Sequence, residues 1–231
     1  MPSPEHAAVR VAIVDYGLGN LFSVQRACEA VGAAVAVTSS PSDVQSADAV
    51  ILPGVGAFGD AMDALRARKL DDAIARVVDN GTPLMGVCLG MQLLMTESFE
   101  FGHHRGLGLI PGDVVRLSDE PLNGRRTKVP QVGWNSAHVA AQPWDGSPLA
   151  GQPDGLFLYF VHSFYVRPAD AGSMLSVTRY GQTEFCSSLR RGRIFACQFH
   201  PERSGPAGLE IYRRFIACAQ PSLEAPHVAH H

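Results

Sequence analysis

The pentapeptide around Cys88 has the residue types and spacing of a nucleophile turn. Gly86-Val87-Cys88-Leu89-Gly90 follows an apolar run and precedes a helical pattern. A side chain at the tip of such a strand-to-helix turn is held in strained backbone geometry, and small residues two positions away on each side leave room for it. The following helix N-terminus favours the thiolate, and the Leu89 N–H can face an oxyanion. The same residues also suit a buried cysteine in a glycine-rich turn.

A base for this thiol is offered by His200, which ends a predicted strand far along the chain. Pro201 stops that strand. Glu202 can reach back to the imidazole, select its tautomer and stabilise the imidazolium. Cys88, His200 and Glu202 are therefore candidates for nucleophile, base and orienting carboxylate. A His-Pro-Glu turn can also be purely structural, and His162 is the one serious rival as the base.

Alternating strands and helices in the first half would position Cys88. Buried β-branched runs predict strands, and amphipathic patterns predict helices, of which the first follows Asn20. This alternation predicts an α/β fold with a mostly parallel sheet flanked by helices. The predicted strands cover 9–17, 33–39, 49–54 and 83–88, and the later helices cover 58–67, 70–79 and 89–98.

The second half has little helix between its strand-like runs, so we expect added antiparallel strands. These runs cover 113–117, 127–133, 156–166, 173–179 and 184–199, the last with a glycine in its middle that predicts a hairpin, before a final helix at 206–218. We expect a single domain over 9–219. The ends, 1–8 and 220–231, should be a disordered or extended N-terminus and a flexible C-terminal tail.

Composition narrows the function classes. The 231 residues are 46% hydrophobic and 18% charged, as in ordinary soluble globular proteins. A net charge of -3 gives no electrostatic reason to expect nucleic acid or an anionic membrane as a partner. The apolar runs are too short to cross a bilayer, and no cationic start precedes an apolar run, so we expect a cytoplasmic protein. The five cysteines include no CxxC pair, and we expect neither a metal nor a cofactor.

Two motifs together resemble the class I (triad) glutamine amidotransferases: Gly-Val-Cys-Leu-Gly-Met-Gln at 86–92 and Gln-Phe-His-Pro-Glu at 198–202. Further motifs resemble the glutaminase subunits of imidazole glycerol phosphate synthases, which act in histidine biosynthesis. They are Asp-Tyr-Gly-Leu-Gly-Asn-Leu at 15–21, Leu-Pro-Gly-Val-Gly-Ala-Phe at 52–58, Val-Gly-Trp-Asn at 132–135 and Tyr-Phe-Val-His-Ser-Phe-Tyr at 159–165. The resemblance covers about residues 9–219 and implies a flavodoxin-like core.

The resemblance implies a role for each matching residue. Cys88 would attack the side-chain amide of glutamine, His200 would protonate the leaving ammonia, and Glu202 would orient His200. The ammonia would pass to a (β/α)8-barrel cyclase subunit in a heterodimer. The oxyanion hole would use Val55, Gly56 and Leu89, and glutamine would be held by Gln92, Glu100 and the backbone of Ser163 and Phe164.

Two positions depart from the family pattern, and the resemblance places the first of them near the partner interface. Gln131-Val132 stands where the family often has His-Met, and Arg203 stands where it often has Lys, which keeps the charge but changes the geometry.

Three alternatives remain: a stand-alone Cys–His hydrolase, a silent interaction subunit, and a glutaminase of another synthase. The glycines beside Val55 permit two orientations of this peptide. We expect the Val55 N–H to turn into the site only when the partner and its ligand bind, so the isolated subunit should be nearly inactive.

Overall fold

The computed structural model describes residues 8–122 and 125–219. The helices within these ranges are α1 (Leu21–Ala30), α2 (Pro41–Ser46), α3 (Phe58–Ala67), α4 (Leu70–Asp79), α5 (Leu89–Leu93) and α6 (Gly205–Ala217). The strands are β1 (Arg10–Val14), β2 (Ala34–Thr38), β3 (Ala49–Leu52), β4 (Leu84–Val87), β5 (Met95–Ser98), β6 (His104–Arg105), β7 (Ile110–Arg116), β8 (Pro121–Leu122), β9 (Arg125–Arg126), β10 (Gln131–Val139), β11 (Leu156–His162), β12 (Phe164–Pro168), β13 (Met174–Tyr180), β14 (Thr183–Arg191) and β15 (Ile194–Cys197).

The main sheet has the strand order β11-β10-β13-β14-β15-β4-β3-β1-β2. Strands β15, β4, β3, β1 and β2 are parallel to one another, and the remaining strands extend this block with antiparallel pairs. A second sheet has the order β12-β7-β5-β6, and β8 pairs with β9. The predicted α/β class, with a parallel block and antiparallel additions, is confirmed.

The parallel block is buried on both faces because its side chains alternate between two apolar cores. In β1, Ala12 and Val14 belong to the core that contains the buried residues of α3 and α4. Val11 and Ile13 belong to the opposite core, which contains those of α1 and α6. Each fully buried aliphatic side chain stabilises the fold by roughly 1.5–3 kcal/mol. Helices on both faces therefore hold the carboxyl ends of the parallel strands in fixed positions.

Most predicted elements of the first half are confirmed. The helices predicted at 58–67 and 70–79 coincide with α3 and α4, and the four early strands coincide with β1 to β4 within a few residues. The final helix and the hairpin of β14 and β15, which turns at Gly192 with φ 58°, are also confirmed. These elements have the strongest apolar periodicity, so local pattern and tertiary packing agree.

The helix predicted at 89–98 is wrong in its second half. The helix ends at Leu93, and Met95–Ser98 forms β5, which pairs with β7 and β6. Pairing within the second sheet overrides the helical pattern of this segment. The same sheet divides the strand predicted at 156–166, because β11 joins the main sheet and β12 joins the second one.

One helix was not predicted, although its signals are in the sequence. Helix α2 begins at Pro41, and the Ser40 hydroxyl accepts a hydrogen bond from the Asp43 N–H at 3.4 Å. Serine before proline is a typical helix start. Apart from Ala8, the termini predicted at 1–8 and 220–231 lie outside the described residues. None of the helices in the described ranges is long and apolar enough to cross a membrane.

Candidate active site

The predicted site residues converge at the carboxyl edge of the parallel block. Cys88 follows β4, His200 lies shortly after β15, and the loop containing Val55 follows β3. These strands are mutually parallel, so their ends meet at one edge. A cavity of about 230 Å³ lies there, lined by Val55, Gly56, Cys88, Leu89, Gln92, Glu100, Val161, His162, Ser163, Phe164 and His200. Of the predicted site residues, only Glu202 is not in this lining, because it lies behind His200.

The backbone of Cys88 is strained as the turn pattern predicts. Its φ of 54° and ψ of -110° lie outside the usual regions for a residue with a side chain. The Cys88 N–H donates to the Cys197 carbonyl at 2.8 Å, which joins the turn to β15. A Cβ at Gly90 would overlap the carbonyl oxygen of Leu52, and a Cβ at Gly86 would lie 3.0 Å from the Met91 nitrogen. Gly90 is therefore required by a backbone contact, and Gly86 is tightly packed against the backbone of the turn.

The sulfur of Cys88 has two polar contacts. Gln198 Nε2 lies 3.6 Å from Sγ and can donate to it, and the Val161 carbonyl lies 3.8 Å from Sγ and can accept from the thiol. Helix α5 is only five residues long, shorter than predicted, so its dipole offers less support than a full-length helix would. The Gln198 amide is thus a donor to the sulfur that the pentapeptide alone does not reveal.

His200 is held by a buried carboxylate. Its Nδ1 lies 2.8 Å from Glu202 Oε1, and Tyr212 donates to Glu202 Oε2 at 3.4 Å. Because the carboxylate can only accept, Nδ1 carries the proton. His200 lines the cavity, and its other nitrogen, Nε2, is buried and has no hydrogen-bond partner among the described residues. Burial lowers the pKa of His200, but the negative charges of a Cys88 thiolate and Glu202 outweigh this and raise it to about 10.

His162 lies in the same cavity but lacks the environment of a base. Its Nδ1 donates to the Phe164 carbonyl at 2.9 Å, and no carboxylate lies beside it in the described part of the chain. Burial lowers the pKa of His162 to about 4, although the bond to Phe164 opposes that change. The ring packs against Phe185, with centroids 5.0 Å apart. This neutral imidazole is anchored by apolar packing, and His200 is the better base.

The loop after β3 lines the cavity with Val55 and Gly56. Val55 is exposed, and Gly56 has a φ of 101°, which a residue with a side chain rarely adopts. The loop is tethered at its start, where the Tyr16 hydroxyl donates to the Pro53 carbonyl at 2.8 Å. A Cβ at Gly54 would overlap that hydroxyl. The loop is therefore fixed at Pro53 and has glycines on both sides of Val55.

The far end of the cavity has donors and acceptors suited to an amino acid. Gln92 Nε2 donates to the Phe164 carbonyl at 2.9 Å and to Gln198 Oε1 at 3.0 Å, which leaves Gln92 Oε1 as an acceptor. Glu100 Oε2 accepts from the Phe58 N–H at 2.7 Å, and burial raises the pKa of Glu100. The Ser163 carbonyl accepts from the Leu117 N–H at 2.8 Å. Both carbonyls at 163 and 164 are thus already bonded within the protein.

Comparison with known proteins shows the family of this chain. The sequence model of the family "Glutamine amidotransferase class-I" matches residues 12–218. The chain belongs to this family. It is 45% identical to the "Imidazole glycerol phosphate synthase subunit HisH" of Bacillus velezensis, over 90% of the chain and 96% of the relative. It is 47% identical to the protein of the same name from Syntrophotalea carbinolica, over 89% of the chain and 98% of the relative.

Solved structures support the same fold at lower identity. A glutamine amidotransferase matches with a TM-score of 0.68 and 21% identity, covering 90% of this chain and 98% of its own. PurLQS from Thermotoga maritima matches with a TM-score of 0.66 and 19% identity, covering 92% of this chain and all of its own. At these identities the likeness concerns the fold alone.

Sequence reasoning missed three residues that support this glutamine amidotransferase site: Tyr16, Gln198 and Tyr212. Gln198 has a detectable signal, because it lies two positions before His200 in an extended segment, where alternate residues share a face. Tyr16 lies two residues after β1, inside the motif at 15–21, and that motif by itself assigns no role to this side chain. Tyr212 reaches Glu202 from α6, and no local pattern connects the two.

The other cysteines of this glutamine amidotransferase lie in different surroundings. Burial raises the pKa of Cys28 to about 12, and it also raises the pKa values of Cys186 and Cys197. Cys218 is exposed and borders a larger hollow of about 370 Å³ near Pro83 and Ile194, where β4 and β15 begin. That hollow lies at the opposite edge of the sheet and is separate from the cavity that contains Cys88 and His200.

Proposed function

We propose that this glutamine amidotransferase is the glutaminase subunit of an imidazole glycerol phosphate synthase and that it acts in the cytoplasm. We further propose that residues 9–219 form its single functional domain. The observation that carries the proposal is the placement of Cys88 on a strained turn, in the same cavity as His200, whose Nδ1 is bonded to Glu202. The 45% identity to the HisH subunit of Bacillus velezensis supports the choice of synthase.

The first half of the reaction forms a thioester. The Cys88 thiolate attacks the side-chain amide carbon of glutamine, and the carbonyl oxygen becomes an oxyanion. The N–H of Leu89, with an N–H from the loop at Val55 and Gly56, stabilises this charge. The C–N bond then breaks as His200 Nε2 delivers its proton to the leaving nitrogen, which departs as ammonia.

The second half restores the enzyme. His200 Nε2, now neutral, takes a proton from a water molecule as that water attacks the thioester carbon. The C–S bond breaks, glutamate leaves, and the sulfur returns to the thiolate while His200 keeps the proton. Throughout both steps Glu202 holds the proton on Nδ1, so that Nε2 always faces the reacting atoms.

Glutamine is held by its amino acid end. Gln92 Oε1 and the free oxygen of Glu100 accept hydrogen bonds from the α-amino group. The carbonyls at Ser163 and Phe164 are bonded within the protein, so their N–H groups are the backbone atoms we assign to the α-carboxylate. This arrangement favours free glutamine over a glutamine residue in a peptide, because the α-amino and α-carboxyl groups of that residue are not both charged.

The ammonia goes to a (β/α)8-barrel cyclase subunit that docks on the exposed face of β10 and β11. Trp134 and Phe157 stack there with centroids 6.0 Å apart, and both are about half exposed. Tyr159 contacts Trp134 and also lies under the Arg203 guanidinium at 4.2 Å. Val161 continues the same face into the cavity. Exposed aromatic clusters of this kind are typical of protein interfaces.

The two residues that replace the family's His-Met, Gln131 and Val132, lie on opposite faces of β10. Val132 is 60% exposed and belongs to the same exposed face as Trp134, whereas Gln131 is buried opposite His162 in the β10–β11 pair. Gln131 therefore acts on the interior of the hairpin, and Val132 is the substitution that a partner would contact. In the cyclase, the ammonia is used to make imidazole glycerol phosphate and an aminoimidazole carboxamide ribotide.

Glutamine hydrolysis by Cys88→Ala, measured with the cyclase and its nucleotide present, tests the proposed function. We expect a loss of more than about 10⁴-fold, because removing an activated nucleophile removes the covalent route. Cys218→Ala is the matched control, since that thiol is exposed and lies at the opposite edge of the sheet, and it should keep full activity. Near-normal release of glutamate by the Cys88 variant would refute the proposal.

Dependence on the partner separates a synthase subunit from a stand-alone hydrolase. We expect the isolated chain to be nearly inactive, because the peptide next to Val55 must present its N–H to the oxyanion. The cyclase with its nucleotide bound should raise the glutaminase rate by about 100-fold or more, as the loss of one oxyanion donor costs roughly that much. Equal rates with and without the cyclase would favour the stand-alone alternative.

A further inference from the structure

Gln198 is fully buried and lies between two residues of the proposed site. Its backbone N–H donates to the Ser187 carbonyl at 2.9 Å, which holds it beside β14. Its side-chain amide contacts Gln92 at 3.0 Å on one side and the Cys88 sulfur at 3.6 Å on the other. Both ends of the amide are therefore used within the site.

The orientation of this amide follows from its neighbours. The Phe164 carbonyl can only accept a hydrogen bond, so the Gln92 atom 2.9 Å from it must be the amide nitrogen. That nitrogen is also the atom that faces Gln198, so the facing atom of Gln198 must be its oxygen. The remaining atom, Nε2, then faces Cys88 as an N–H donor. A flipped Gln198 would leave two N–H groups facing each other.

We propose that Gln198 is a catalytic residue of this site, whose amide N–H stabilises the Cys88 thiolate and again the sulfur that leaves when the thioester is hydrolysed. The donor is preorganised, because its oxygen is held by Gln92. This inference rests on the proposed function for its reaction, but its effect on the sulfur can be measured without glutamine. It also gives Gln92 two tasks, with its oxygen facing the ligand and its nitrogen fixing Gln198.

The contacts of the sulfur change with its protonation. A thiol donates to the Val161 carbonyl at 3.8 Å, whereas a thiolate can only accept, and Gln198 Nε2 at 3.6 Å is a side-chain donor that reaches it in addition to the His200 imidazolium. Hydrogen bonds to a charged group are stronger than those between neutral groups. The amide thus favours the nucleophilic form, together with the positive charge of His200.

Alkylation of Cys88 by iodoacetamide tests the role, because thiolate is the reacting species. In Gln198→Met, which keeps the approximate volume, alkylation at pH 7 should slow about tenfold to a hundredfold, the equivalent of a hydrogen bond to a charged group. At a pH high enough to ionise the thiol in both proteins, the rates should converge. Alkylation at Cys88 is identified by mass spectrometry of the peptide, and circular dichroism checks that the variant is folded.

Ser176→Ala is the control for the loss of a buried polar group. Its hydroxyl bonds to Ser187 and Ser188 at 2.8 and 2.6 Å and does not contact Cys88 or the Gln198 side chain. It should leave the alkylation rate unchanged. An unchanged rate in folded Gln198→Met, or an equal slowing at every pH, would overturn the proposal. Loss of glutaminase activity in Cys88→Ala is a separate result, so failure of the function and failure of this role are distinguishable.

A measurement on unmodified Gln198 covers the case in which the methionine variant does not fold. In NMR spectra that correlate each nitrogen with its proton, the side-chain amide of Gln198 in the wild-type chain should give a signal that is protected from exchange with solvent. That signal should shift when Cys88 is replaced by alanine, because its acceptor is removed. A Gln198 signal that stays in place in the alanine variant would overturn the proposal.

Discussion

At the scale of single residues, two histidines in one cavity have opposite environments. His200 is bonded to Glu202 and has a pKa raised to about 10, whereas burial lowers the pKa of His162 to about 4. Only the first histidine can hold a positive charge at neutral pH. The negative charges of a Cys88 thiolate and of Glu202 decide this difference, and Glu202 lies two positions from His200 in the sequence, which is why the motif alone predicts this base.

The buried neutral His162 should make the fold sensitive to acid. Its folded pKa of about 4 lies below the ordinary value of 6.5, so between these values the unfolded chain binds more protons. Stability is therefore lost as pH falls from 6.5 through 4. At pH 5 this group should lower the free energy of unfolding by about 2 kcal/mol relative to pH 7.

Urea unfolding of His162→Gln at pH 7 and pH 5 checks this effect. The variant should lose less stability than the wild type over this interval, whatever its stability at pH 7. His103→Gln is the control, because that side chain is exposed, and it should follow the wild type. Parallel losses in the wild type and in His162→Gln would contradict the assignment of the acid sensitivity to His162.

At the scale of elements, the strained turn depends on close backbone contact between neighbouring strands. Replacing Gly90 by alanine should destabilise the protein by several kcal/mol, about 3 or more, because the new methyl group would overlap the Leu52 carbonyl of β3. The turn and β3 would have to separate, which would also move the loop that carries Val55. Thermal unfolding measures the loss.

Gly19→Ala is the matched control for that substitution. Its new methyl group would lie 3.2 Å from a flexible Leu21 side-chain carbon, and its next nearest neighbours are also side-chain atoms, of Leu21 and Pro53. Its melting temperature should change by only a few degrees. If Gly90→Ala melts at the same temperature as this control, the turn accommodates the added methyl group, and the close contact with Leu52 does not require glycine.

Local sequence patterns did not predict where every helix ends. Helix α5 was predicted to continue to residue 98, but Met95–Ser98 pairs with β7, so the chain leaves the helix after Leu93. This early exit brings Glu100 into the cavity. Helix α3, in contrast, matches its prediction residue for residue, because its apolar stripe has a single face to bury.

At the scale of the whole molecule, the exposed aromatic face suggests how the partner binds. Phe157→Ser should weaken binding to the cyclase by about tenfold or more without lowering the melting temperature, because this ring is 56% exposed and central interface aromatics contribute most. Calorimetric titration of the cyclase measures the affinity. The ring stacks on Trp134, so both aromatic rings belong to the same exposed face.

Val37→Ser provides the control at another exposed apolar position. Val37 is 38% exposed on β2, at the opposite edge of the main sheet from β11. It should leave the affinity for the cyclase unchanged. An equal effect of both substitutions would place the docking surface elsewhere.

The sequence by itself determined the candidate nucleophile, the base with its carboxylate, the α/β alternation and the family. Each depends on short-range order: glycines two positions from Cys88, Glu202 two positions from His200, and apolar residues with the period of a strand or helix. Only the tertiary structure decided that Cys88 and His200 share one cavity, that Gln198 faces the sulfur and that Tyr212 supports Glu202. These contacts join residues far apart in the chain, and they arise from the order of parallel strands and the close approach of their ends, which no local pattern specifies.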